Sequence, residues 1–115
     1  METKTHPDRT TIAPNVLLTI ARLEALRVEG VAGMSPVPGG VNRLFRRGAS
    51  DGVRIEVRDN SVSADLYLIV RPDVNLREIS RSVQTCVARA IEEMVGMDVA
   101  AVNIHIEDVA AAADG

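Results

Sequence analysis

Few side chains in this sequence have both the type and the spacing that chemistry requires. His105 and Glu107 alternate within VNIHIEDV, so on a strand they share a face and could in principle meet a cation. One imidazole and one carboxylate fall short of the four ligands, or three plus water, that zinc takes. His6 stands in a polar N-terminal stretch and cannot be assumed to join them, so a solvated strand histidine is the simpler reading. Cys86 is the only cysteine, which rules out an internal disulfide, and its place in a helical pattern makes it a buried, inert thiol. Asp65 and Glu56 face Arg54 or Arg58 across a hairpin, where weak surface ion pairs are commoner than acid/base dyads. Gly30 to Gly33 spells G-x-x-G, the phosphate clamp of KH domains, but its centre is apolar and leads into a strand. No phosphate-loop, dinucleotide-fingerprint or nucleophile-elbow motif occurs. No catalytic residue, cofactor or metal ligand is assigned, and the chain reads as a non-enzyme.

A different chemistry is offered by Arg43, Arg46 and Arg47 around Phe45. They stand in SPVPGGVNRLFRRGASDG, Ser35 to Gly52, a long connection for so small a domain. Three guanidinium groups beside one ring suit phosphates, carboxylates or a partner's acidic patch. Equally, Leu44 and Phe45 can tuck into the core while the arginines keep the loop soluble.

Composition narrows the classes. There is room for one domain in 115 residues, and 46% of them are hydrophobic, yet only Phe45 and Tyr67 are aromatic. The core is therefore aliphatic, and the chain lacks the rings on which single-stranded bases stack. A net charge of −3 also argues against a general nucleic-acid binder. No apolar run approaches the roughly 18 residues a membrane span needs, and METKTHPDRTT is not a secretory signal. The expectation is a cytoplasmic chain.

The positioning elements follow from periodicity. Residues 1–11 read as a tail, 12–109 as the domain and 110–115 as a second tail. A helix starts at Ile12 to Asn15, helped by Pro14, with Val16, Ile20 and Leu23 as its apolar stripe and Leu17, Ala21 and Leu26 widening it. GVAGM, Gly30 to Met34, reads as a short strand. Val53, Ile55 and Val57 alternate with charges, Asp59-Asn60 makes a turn, and Val62 to Val70 gives the next inward row. Asn75 caps a long helix that Gly96 closes, and Val102, Ile104 and Ile106 point inward from the last strand. A hairpin followed by helix and strand implies a mixed sheet with both helices on one face, an α+β two-layer sandwich. Tyr67 and Ile69 are apolar exceptions on the opposite, charged face. They are expected to lie exposed there, as a surface for a partner or a second copy, and replacing both by Ser is expected to leave thermal stability nearly intact.

With these segments placed, the chain resembles the alkaline-shock, or envelope-stress-response, proteins of Gram-positive bacteria. The resemblance is carried by Gly30 to Met34, RRGASDGVRIEV, ADLYLIV and VNLREISRSVQTCVARAIEEMVGMDVAAVNIHIEDV. It implies a non-enzymatic interaction role in envelope homeostasis, in abundant cytoplasmic proteins, some held at the membrane by a separate anchored partner. It transfers no catalytic residue. The competing reading is a small module that binds RNA or an anionic ligand through the arginine loop.

Replacing Arg43, Arg46 and Arg47 together by Ser tests that loop. Surface changes of this kind shift stability by about 0.5 kcal/mol or less each. Affinity for an anionic partner is expected to drop most at low salt, where exposed charges act over about 30 Å at roughly 0.01 M. Equal affinity of both proteins across a salt series would leave these arginines as solubilising residues.

Overall fold

The computed structural model describes residues 11–38, 49–50 and 52–111. Its elements are α1 (Pro14–Arg27), β1 (Val31–Met34), β2 (Ala49–Ser50), β3 (Val53–Arg58), β4 (Ser61–Val70), α2 (Leu76–Ala90) and β5 (Asp98–Val109); one π turn, Ile91–Val95, extends α2. Arg43, Phe45, Arg46 and Arg47 lie outside the described residues, as does most of both tails.

The alternation that marks β4 in sequence also fixes its place. Val62, Ala64, Leu66, Leu68 and Val70 are fully buried on one face, and each such side chain contributes on the order of 1–3 kcal/mol. A row this apolar belongs at the centre, and β4 has partners along both edges. β5 runs parallel along one, from Ser61 opposite Asp98 to Val70 opposite Val109. The other edge is shared: β3 pairs antiparallel with Ser61 to Leu66, and β1 antiparallel with Leu68 to Val70. β2 pairs with β3, completing a five-stranded mixed sheet. Core residues of α1 and α2 pack on its apolar face, giving the α+β two-layer domain.

Local signals act as their chemistry dictates. Asp59 takes the left-handed turn conformation, φ 58°. The Asn75 Oδ1 accepts the Glu78 N–H at 3.0 Å, which satisfies a donor the helix itself cannot. Gly96, φ 80°, closes α2 with its N–H to the Glu92 and Ile91 carbonyls.

α1 buries Leu17, Ile20 and Ala21 as expected, but the rest of its core face is shifted. Leu17, Leu18, Ile20, Ala21 and Ala25 face the core, whereas Val16, Leu23 and Leu26 are exposed. The helix is apolar on both sides, so periodicity alone does not choose between them. Ala21 and Ala25 have no exposed surface, and their small size lets the backbone approach the sheet closely. β5 is also less regular than read: bulges at Ala100 and Glu107 interrupt its register. After the second bulge Asp108, not Glu107, stands opposite Ile69.

Gly52, φ 81°, sits where β1, β3 and β4 converge; a Cβ there would lie 2.5 Å from the Ser35 carbonyl oxygen and 2.8 Å from the Met34 Cβ. Gly96, φ 80°, has nothing within 4 Å of the same position. Left-handed backbone costs a non-glycine residue roughly 1–2 kcal/mol at either site. Gly52→Ala is expected to destabilise clearly more than Gly96→Ala, since only the former adds a backbone overlap. Urea midpoints of the two variants measure the difference, and equal losses would mean that the junction relaxes.

Candidate functional site

The sheet face turned away from the helices holds the polar residues with defined partners. Register places Tyr67 of β4 opposite His105 of β5, and their rings stack with centroids 4.5 Å apart at 12°. The His105 Nε2 lies 3.0 Å from the Asp65 Oδ1. A carboxylate only accepts, so this contact needs the proton on Nε2 and leaves Nδ1 as the acceptor of the neutral ring. On the other side the Arg54 Nη2 donates to the Tyr67 hydroxyl at 3.1 Å. Arg54, Tyr67, His105 and Asp65 thus form one connected set across three strands.

Tyr67 belongs to this face, as expected, but not as an exposed anchor. It is only 5% exposed and lies outside the aliphatic core cluster. The Ser replacement expected to be harmless would therefore remove a buried ring. Ile69 is half-buried beside Asp108. The half-exposed part of the set is His105 and Asp65, whose side chains are 39% and 29% exposed.

The Asp65–His105 pairing was not anticipated. Arg54 does stand opposite Asp65, but its guanidinium goes to Tyr67, and Arg58 approaches Glu56 at 3.5 Å on its own strand. A carboxylate that orients an imidazole occurs in nucleophilic catalysis, but there it activates a hydroxyl or thiol at the other nitrogen. Cys86, half-buried rather than buried as expected, is on α2, across the sheet from His105. Among the described residues no group of three or more His, Cys, Asp or Glu could hold a metal ion. Gly30 joins a helix to a strand, φ 104°, so the G-x-x-G serves a turn rather than a clamp between helices. A shallow cleft of about 310 Å³ at the start of α2 sets Arg71 among Glu29, Glu78 and Asn75. No helix among the described residues is long and apolar enough to cross a membrane.

These features define a small two-layer α+β domain with a braced polar patch on its open sheet face. Residues 2–111 match the alkaline shock protein 23 family, described by a cell envelope-related function, and the chain belongs to that family. It is 31% identical over 104 residues to the uncharacterized protein YqhY of Bacillus subtilis, covering 89% of this chain and 77% of YqhY. YloU of the same organism, also uncharacterized, is 26% identical over 113 residues, covering 95% of this chain and 94% of YloU. In fold the chain is similar to a manganese form of the MamM CTD, with TM-score 0.57 and 18% identity over 82% of this chain and 96% of that one.

The Arg54–Tyr67 bond can be measured directly. Tyr67→Phe and Arg54→Met should each cost about 0.5–1.5 kcal/mol, and the double variant little more than either one. Tyr67→Ser should cost about 3 kcal/mol or more, as loss of a buried ring does. Denaturant titrations of the four proteins give the cycle, and strict additivity would show that the bond contributes nothing.

Proposed function

We propose that the chain is a non-enzymatic docking module of cell-envelope homeostasis, acting on the cytoplasmic side and recruited by a membrane-anchored protein partner. Family membership supports the envelope role. The observation that carries the docking reading is the set Arg54, Tyr67, His105 and Asp65, two hydrogen-bonded pairs joined by a ring stack on the face turned away from α1 and α2. Mutual bonding holds the side chains in one geometry before a partner arrives, which lowers the ordering cost of recognition. Ile69 supplies an apolar neighbour, and the Nδ1 of His105 an outward acceptor. A second copy of the chain is a further candidate partner. Arg43, Arg46 and Arg47 around Phe45 support a second reading, capture of RNA or an anionic ligand.

Crosslinking capture from the native cell, followed by binding with the purified partner, tests the first reading. His105→Ala and Ile69→Ser should each weaken binding about tenfold or more, as central interface residues do. Thermal unfolding controls for loss of fold. Undiminished binding by both folded variants would move the interface off this face.

A further inference from the structure

Among the described residues β5 is paired along one edge only, with β4. Which of its backbone groups face outward follows from its ends. The Asp98 N–H donates to the Asn60 carbonyl and the Ala110 N–H to the Val70 carbonyl, both toward β4. With the bulges at Ala100 and Glu107 counted, Ala101, Asn103 and His105 also turn their backbone groups to β4. Val102, Ile104 and Ile106 therefore turn theirs away from the sheet. Gln84 confirms this alternation, because its Nε2 reaches the Val102 carbonyl from α2 at 3.0 Å.

Sheet edges are commonly blunted by bulges and charges. On β5 the bulges and the acidic Asp98, Glu107 and Asp108 sit toward the ends, and the regular stretch Ala101 to Ile106 between them carries no carboxylate or basic charge apart from His105. We propose that this stretch pairs antiparallel with β5 of a second copy about a two-fold axis at Ile104, joining the two sheets into one. This deepens the expectation that a second copy is a partner.

Charge and register select that alignment. Outward-facing residues must oppose outward-facing residues, which allows an axis at each residue from Val102 to Ile106; one at Asn103 sets Asp98 against Asp108, and one at His105 sets Val102 against Asp108. An axis at Val102 sets Ile106 against Asp98, and one at Ile106 sets Ile104 against Asp108. Only the axis at Ile104 pairs Ile104 with itself and Val102 with Ile106, while Glu107 and Asp108 meet Ala101 and Ala100. The half-buried side chains of Val102, Ile104 and Ile106 already pack against the core, so pairing extends that apolar layer from one copy into the next. On the open face Asn103 of one copy comes against His105 of the other. Gln84 must release the Val102 carbonyl, which the second strand's N–H then occupies.

Sedimentation equilibrium of the full chain, from low micromolar to near-millimolar, reads the association. Amide hydrogen exchange at both extremes reads its place. The expected result is a concentration-dependent dimer in which the Val102, Ile104 and Ile106 amides exchange at least tenfold more slowly, while Asn103 and His105, already bonded to β4, do not change. Ile104→Pro removes an outward N–H and should give a monomer; if that variant does not fold, the exchange pattern in the unaltered chain still decides. A monomer at all concentrations, or a dimer that leaves these three amides unprotected, overturns the proposal. His105→Ala leaves the backbone edge intact, so loss of envelope-partner docking and loss of self-pairing are told apart.

Discussion

Two main-chain hydrogen bonds of one residue hold the sheet's divided edge together. The Tyr67 N–H donates to the Gly52 carbonyl and its own carbonyl accepts from the Ser35 N–H, each at 2.8 Å. Those bonds mark the point where β4 changes partner from β3 to β1. β1 and β3 lie end to end and run in the same direction along this edge, and Gly52 leads from β2 into β3 at their junction with left-handed backbone and no side chain. The Tyr67 side chain then reaches across to β5 through His105 and to β3 through Arg54. One residue thereby connects β1, β3 and β5.

The two faces of the sheet rest on different physics. Beneath the helices the order is aliphatic, with Leu66, Leu68, Ile91, Val83 and Val87 excluding water without directional bonds. Such a layer tolerates exchange of one aliphatic residue for another of like volume. The open face depends on geometry instead: a ring must stack, a carboxylate must meet Nε2 and a guanidinium must reach a hydroxyl. Changes there are less forgiving of shape.

What the sequence made legible is what local chemistry decides. The Asn75 cap, the Asp59 turn, the Gly96 stop and the alternation of β3 and β4 each depend on residues a few positions apart, and each is found in place. The parallel pairing of β4 and β5 was also accessible, since a helix stands between them. Features set by long-range pairing were not. The bulges at Ala100 and Glu107 have no signature of their own, and β2 is a two-residue strand defined only by its bonds to β3. In α1 the periodicity placed Leu17, Ile20 and Ala21 in the core, but it chose Val16, Leu23 and Leu26 where the packed helix buries Leu18 and Ala25, because apolar residues flank the stripe on both sides. Asp65 and His105 could be put on one face, but α2 lies between them in the chain, and adjacency required the register.

The energetics of the polar patch bear on its purpose. A contact as exposed as Asp65–His105 contributes about 0–1 kcal/mol after solvent screening. The Arg54–Tyr67 bond adds a similar small amount. Against a core in which eight large side chains are essentially fully buried, these contributions do not decide whether the domain folds. They do decide orientation: with Asp65 fixing Nε2 and Tyr67 fixing the ring plane, the His105 Nδ1 points in one direction. A single fixed direction matters little for stability and much for what the face can recognise, so the patch is better understood as a shaped surface than as a brace.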